Sequence, residues 1–371
     1  MFHCTLNDLQ VELELRPTSP LLIKDGRHFE RKEGETGEVW KERVFFHRSV
    51  PRTPSRPRKK QERGYGSYDN ADDCFDMACV YTRDAQGMDR FYLPGSSLRG
   101  LLRTMAERIV GRWRPDLARA SDPFHNAAEH WTQQQRDIKQ SPGSKAIYYT
   151  AGPLDRCFGH TALRGRWSVA DAWMQNDQEA SVIVRDGVGI NRATGAAQND
   201  VKFQFEAITG GVFSTTLTLV NYELWQLGLL AHVLAALDGG AIRLGYGTRR
   251  GMGRVQVHVA KMAWHWYQKG QPEQANSQNG KITKVTIPTL AKLAQVQGFS
   301  GAYGWRDEGL SSPTLPLEQQ RNGGLVADWV LSFPNEPTNW EGDPWPAFGP
   351  LLKQVLTAWP EVQADKQEVP A

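Results

Sequence analysis

Cysteine is scarce, with four residues in a chain of 371: Cys4, Cys74, Cys79 and Cys157. None forms a CxxC pair and none sits beside a cluster of histidines, so neither a disulfide framework nor a zinc site is suggested. No run of about 18 apolar residues is present, which excludes a spanning helix, and the first residues lack the apolar stretch of a secretory signal. A cytoplasmic protein without a membrane partner is expected. A strong excess of one charge is missing too, since a formal net charge of +3 does not by itself argue for a polyanionic ligand. No internal repeat of solenoid period is found.

With 40% hydrophobic and 23% charged residues, the chain can build one large core carrying insertions. Its positive charge is unevenly placed. From Lys41 to Arg63 the sequence has Lys41, Arg43, Arg48, Arg52, Arg56, Arg58, Lys59, Lys60 and Arg63 against Glu42 and Glu62. Broken by Pro51, Pro54 and Pro57, this stretch cannot bury enough apolar surface to fold alone. It reads either as a solvated loop or as an arm that neutralises phosphates.

Leu9, Val11, Leu13 and Leu15 alternate with polar residues, the period of a strand with one buried face. Pro94-Gly95-Ser96-Ser97 precedes Leu98, Leu101, Leu102, Met105 and Ile109, an apolar stripe at helical spacing with a serine placed to cap it. Trp167 to Trp173, Val182 to Arg185 and Phe213 to Val220 are strand candidates, with a polar excursion at Asp186 to Gly211. A second amphipathic helix carries Trp225, Leu229, Val233 and Leu237 and stops at Gly239-Gly240. Val255, Val257 and Val259 mark a closing strand. The order is α+β and matches a ferredoxin-like (RRM-like) βαββαβ palm. Gln271 to Gly280 reads as a polar linker into a tryptophan-containing C-terminal extension, in which Leu351, Leu352, Val355, Leu356 and Trp359 form a short docking helix. The predicted division is a core over 1–268 and an extension over 269–371, with a basic insertion at roughly 26–70.

Two motifs carry the chemistry. Phe91 to Arg103 ends a strand at a proline-glycine turn and starts a helix, so the N–H groups of Ser96 to Arg99 are placed to meet an anion. Arg99 and Arg103, four apart, share one helix face and are placed to grip successive phosphates. The alternative is an ordinary capped helix with solvated arginines. Ile242 to Arg254 places Gly245, Gly247, Gly251 and Gly253 among Arg249, Arg250 and Arg254. Glycines let the backbone approach a polyanion while guanidinium groups fork onto its oxygens. The lysine and serine or threonine of a P-loop are missing, and the loop leads into a strand, which argues against a dinucleotide fingerprint.

Together these motifs resemble the RAMP superfamily, in which a proline-glycine-serine-serine turn precedes a helix and a late glycine-rich loop with arginines precedes the last strand. Cys157-Phe158-Gly159-His160, followed by Gly165 to Asp171, resembles a phenylalanine-glycine segment of its backbone subunits. Gly189 to Ala197 resembles the start of their thumb hairpin, placed here at 186–211. The resemblance implies a backbone-type subunit of a type III CRISPR effector complex, with guide RNA, target RNA and other subunits as partners. It also implies that Ser96, Ser97, Arg99, Arg103 and the loop at 245–253 with Arg254 hold the guide backbone, while Asn191 and Arg192 lie at the thumb. Contacts to phosphate position an RNA without reading its sequence, which suits specificity delegated to base pairing.

Many such subunits cut target RNA with one aspartate in the loop after the first strand. Two residues compete for that role here: Asp76, which lies before an arginine-aspartate run, and Asp25, just after the first strand; Asp72 and Asp73 are weaker. A carboxylate such as Asp76 would hold Mg2+ or another divalent cation against the scissile phosphate while the RNA 2′-hydroxyl attacks. The aspartates read equally as turn residues. A scaffold or cap subunit without catalysis is one alternative, and a guide-precursor nuclease using His28 or His47 as general base is another.

Overall fold

Alternation along the first apolar stretch folds as β1 (Asn7–Pro17), the strand at the centre of the molecule. Its Leu9, Val11, Leu13 and Leu15 are buried, whereas Gln10 and Glu12 are exposed. The computed structural model describes residues 5–24, 77, 79–83, 89–121, 147–149, 151–160, 163–175, 180–267, 274–275, 282–296, 298, 305–306, 309–320, 327–332 and 345–360. The basic stretch from Lys41 to Arg63, Asp25, Asp72, Asp73, Asp76, His28 and His47 lie outside the described residues, as does most of the expected linker Gln271 to Gly280.

After β1 come β2 (Tyr81–Arg83), β3 (Asp89–Leu93), α1 (Gly95–Trp113), α2 (Pro115–Ala120), α3 (Pro153–Phe158), β4 (Gly159–His160), β5 (Leu163–Arg164), β6 (Trp167–Val169) and β7 (Ala172–Met174). They are followed by β8 (Ala180–Ile190), β9 (Ala197–Gly210), β10 (Phe213–Val220), α4 (Leu224–Asp238), β11 (Val255–Trp266), β12 (Gln274–Ala275), β13 (Ile282–Thr286), α5 (Leu290–Val296), β14 (Thr314–Gln320), β15 (Ala327–Ser332) and α6 (Trp345–Ala358).

β1 pairs antiparallel with β10 on one side and β11 on the other, and β6 and β7 both pair antiparallel with β10. The last palm strand thus lies beside the first, and α1 and α4 are the two crossover helices: the expected ferredoxin-like palm. The single strand expected over Trp167 to Trp173 is two strands. The cause is α1, whose first residue Gly95 lies so close that a Cβ there would stand 2.3 Å from the Val169 carbonyl oxygen. The Gly95 N–H also donates to Asp171 Oδ1 at 2.7 Å, and the bend between β6 and β7 makes room for both.

The sheet continues past the palm. β15 pairs with β11, and β14, β13 and β12 follow in order. α6 packs along α4. The sequence suggested one apolar face for α4, but Trp225, Leu227, Leu229, Leu230, Val233 and Leu234 are all buried, along with Gln226. The difference arises because the palm covers one side and α6 the other, and a helix covered on both sides is apolar all round. Gly228 permits the contact, since a Cβ there would lie 2.5 Å from the Phe348 carbonyl oxygen. Each fully buried leucine of this layer contributes about 1.5–3 kcal/mol.

The strand candidate at Val182 to Arg185 and the excursion after it are one element, the hairpin β8–β9. Its root is buried through Val182, Phe205, Ala207 and Ile208, while Val188 and Ile190 near its tip are about half exposed. Among the described residues no helix is long and apolar enough to cross a membrane.

Candidate nucleic-acid interface

The glycine-rich loop after α4 is held by the segment that follows β1. The Tyr246 N–H donates to the Leu22 carbonyl at 2.7 Å, the Gly253 N–H to the Pro20 carbonyl at 2.9 Å, and the Arg254 N–H to Ser19 Oγ at 2.8 Å. Within the loop, the Leu244 N–H donates to the Gly253 carbonyl at 2.8 Å and the Arg250 N–H to the Gly247 carbonyl at 2.7 Å. Glycine is required at Gly253, which has φ 79° and whose Cβ would lie 1.9 Å from the Leu244 carbonyl oxygen. At Gly245 a Cβ would meet the Leu22 carbonyl at 2.2 Å. Pinned in this way, the loop exposes Arg249, Arg250, Gly251 and Arg254, with the Arg250 guanidinium 5.5 Å from the centre of the Tyr246 ring.

The same support reaches the hairpin. Leu21 bridges Ile208, Met77 bridges Phe205, and the Phe205 ring meets Tyr246 edge-on at 6.2 Å. Loop, hairpin root and the residues after β1 are therefore one packed unit. Asn191 and Arg192 lie far out, in the turn that joins β8 to β9. Asn191 Oδ1 accepts the N–H groups of Ala193 at 2.9 Å and Thr194 at 3.2 Å, which shapes the turn, and Arg192 is exposed.

At the start of α1 the capping serine expected from the sequence is replaced by Pro94, which caps through its position, with no side-chain hydrogen bond. Ser96 and Ser97 lie inside the first turn with their side chains exposed. The Ser97 and Leu98 N–H groups both donate to the Pro94 carbonyl, at 2.9 and 3.1 Å. Arg99 and Arg103 turn toward the protein. Arg99 donates to the Phe158 carbonyl and stands 5.8 Å from that ring's centre, and burial followed by the Arg103 charge lowers its pKa. Arg103 forms a 2.9 Å ion pair with Glu107 and donates to the Ser121 carbonyl at 2.9 Å.

The phenylalanine-glycine segment forms the socket for Arg99. Gly159, at φ 75°, and Gly165 pack so closely that a Cβ on Gly165 would lie 2.4 Å from the Phe158 carbonyl carbon, while the Phe158 ring meets Trp167 edge-on at 5.1 Å. Burial and the Arg103 charge push His160 down to about 4, so its ring is neutral at pH 7. Behind this socket Arg156 and Glu223 form a fully buried ion pair of 2.8 Å. Tyr148 donates to the same carboxylate at 2.6 Å, and the Arg306 N–H donates to its second oxygen. This pair ties α3 to the residues beyond the palm; nothing in the local sequence pattern marks it, because its members come from distant segments.

The catalytic candidates Asp25 and Asp76 lie outside the described residues. Their chain neighbours Lys24 and Met77 do not: Lys24 bridges Cys79 and Met77 bridges Phe205 at the hairpin root. Among the described residues no three histidine, cysteine or acidic side chains gather as a cation cage. The nearby Glu206 carboxylate is buried and accepts the Cys79 N–H at 3.2 Å. Cys79 and Cys157 are buried, and burial raises the Cys157 pKa.

A ferredoxin-like palm with an arginine-bearing glycine loop, braced by the segment after its first strand, offers fixed cationic groups to a polyanionic backbone. Residues 80–256, a little under half of the chain, match the RAMP superfamily, which supports a RAMP-type protein. RAMP proteins bind RNA and act in multiprotein complexes, and the match suggests a CRISPR-associated RNA-binding subunit. Ser96, Ser97, Arg99, Arg103, Asn191, Arg192 and the loop through Arg254 lie within the matched residues, whereas Asp25 and Asp76 do not. No curated protein matches the chain.

Proposed function

We propose that the chain is a backbone-type subunit of a type III CRISPR effector complex that holds guide RNA and target RNA and cuts the target with the help of a divalent cation. The observation that carries this reading is the loop from Gly245 to Arg254, braced on Pro20 and Leu22 with Arg249, Arg250 and Arg254 exposed along it. A rigid, glycine-relieved backbone with guanidinium groups on its rim binds phosphates in fixed register without reading bases. The exposed hydroxyls of Ser96 and Ser97 extend the same contact at the start of α1. Arg99 serves it by holding α1 on the Phe158 socket, and Arg103 by holding α1 to Ser121. Arg192, exposed in the turn of β8–β9, reaches toward the paired strands.

Asp76 is the proposed holder of Mg2+, with Asp25 as the second candidate. A cation bound there would polarise the scissile phosphate of the target. The test is cleavage of a guide-complementary RNA by the assembled complex in the presence of magnesium. Wild type is compared with Asp76→Ala, Asp25→Ala and the double variant, with RNA binding followed in parallel. Loss of one specific cut with binding intact supports the nuclease reading and names its residue. Unchanged cutting by the double variant overturns it and leaves a scaffold subunit. Magnesium-independent cutting of repeat RNA that depends on His28 or His47 reassigns the chain to precursor processing.

A further inference from the structure

The palm sheet has a second face, turned away from α1 and α4. On it stand two aromatic side chains that the loop and helix motifs leave unused. Tyr92 of β3 lies opposite Trp173 of β7 in the register, and their rings stack at 5.2 Å between centroids and 22° between planes. Trp173 is 38% exposed, a high value for the largest apolar side chain. From Trp173 the row continues across the sheet to Ser214 of β10, Glu14 of β1 and His258 of β11. One neighbour of the indole is therefore an aromatic ring and the other is a small hydroxyl side chain.

We infer that Trp173, backed by Tyr92, is a stacking platform for one unpaired RNA base, seated over Ser214. The inference rests on the RNA-binding reading and deepens it. Side chains stand roughly perpendicular to a sheet, so a small residue beside the indole leaves a slot about one ring wide. A base fills such a slot because every nucleobase presents a π-face, and aromatic stacking is the usual way in which proteins hold single-stranded RNA. Tyr92 supports the opposite side of the indole and keeps it upright.

Charge selects which part of the RNA enters. The central strand carries Glu12 and Glu14 on this face, each facing one cation: Lys261 at 3.7 Å and Arg16 at 2.9 Å. A phosphate backbone laid across the middle of the sheet would meet these carboxylates, whereas an uncharged base would not. At the other end of the row the exposed Arg90 shares its strand face with Tyr92, two residues away. Two residues beyond Tyr92 the chain enters the Pro94–Ser97 turn. The backbone thus runs along the β2–β3 margin and the start of α1, and one base turns inward onto Trp173.

The experiment is fluorescence anisotropy of the full-length protein with an end-labelled, mixed-sequence single-stranded RNA, repeated with single abasic sites placed at successive positions. The wild type loses about tenfold in affinity at one position, the loss of one base–aromatic stack. Trp173→Ala loses about the same with intact RNA and no more when that base is absent, and Trp173→Phe retains most of the affinity. Thermal melts of both variants show whether the fold survives; Tyr92→Leu, which leaves the indole in place, gives an intermediate loss. If intact RNA binds equally to wild type and Trp173→Ala across the whole scan, the platform is overturned while the RNA-binding reading stands. If the wild type binds no RNA, both are overturned.

Discussion

At the scale of the residue, the buried polar groups behind α1 decide what the arginines do. Asp155 is buried and accepts a 3.2 Å hydrogen bond from Ser121 Oγ, while Arg103 donates to the carbonyl of the same serine. Burial pushes the Asp155 carboxyl up to about 6, against the opposing pull of the Arg103 charge, the Ser121 hydroxyl and the Gly152 backbone. An unfolded aspartate titrates near 3.9, so the native state binds the proton more tightly. Its stabilising contribution is complete below about pH 3.9 and is lost as pH rises through about 6. Asp155→Asn is therefore expected to remove a fall in stability across that window, with a ceiling of roughly 3 kcal/mol. Urea unfolding of wild type and variant near pH 4 and near pH 7 measures it; parallel curves at both pH values would refute the assignment.

At the scale of the element, the glycine loop separates two requirements that look alike in the sequence. Gly251 and Gly253 both have positive φ, 84° and 79°. A Cβ on Gly251 meets nothing within 4 Å, whereas one on Gly253 meets the Leu244 carbonyl oxygen at 1.9 Å. Gly251→Ala therefore carries only the left-handed strain, about 1–2 kcal/mol. Gly253→Ala adds a backbone clash and displaces the loop from Pro20. The expected result is a larger fall in melting temperature and a greater loss of RNA affinity for Gly253→Ala than for Gly251→Ala. Equal effects would show that the Pro20 and Leu22 contacts do not set the loop's shape. The same contrast explains Arg99 and Arg103: four-residue spacing put them on one face of α1, and the Phe158 socket and Ser121 turned that face inward.

At the scale of the whole molecule, the chain closes its sheet with its first strand. β1 lies between β10 and β11, and the Asn7 side chain reinforces it, donating to the Tyr222 carbonyl at 3.2 Å and accepting the Tyr222 N–H at 3.0 Å. A fragment limited to the RAMP-matched residues 80–256 lacks β1 and nearly all of β11. It would expose the β10 edge and one side of α4, and unpaired edges and bare apolar faces aggregate. No cooperative melt is expected from that fragment, while the full chain gives one by circular dichroism. A cooperative transition in the fragment would mean that the matched residues fold independently of β1.

The sequence by itself determined the elements whose signal is local. Period-two alternation marked β1 and β11, threonine and branched residues marked β10, helical spacing marked α1 and α4, and the glycine and arginine pattern marked the loop, because each of these is set by a stretch of roughly ten residues. The order of those elements, with the two motifs, was enough for the RAMP resemblance. Only the tertiary structure decided what each motif rests on. It put the loop on Pro20 and Leu22, gave Arg99 to the Phe158 carbonyl, covered α4 from outside with α6, split the strand at Ala170, and stood Trp173 against Tyr92. Those outcomes join segments far apart in the chain, as in the contact from Asn7 to Tyr222 across 215 positions. Periodicity tells a residue which face to present. Which neighbour meets that face is settled by the topology and the close packing that follow when the sheet closes.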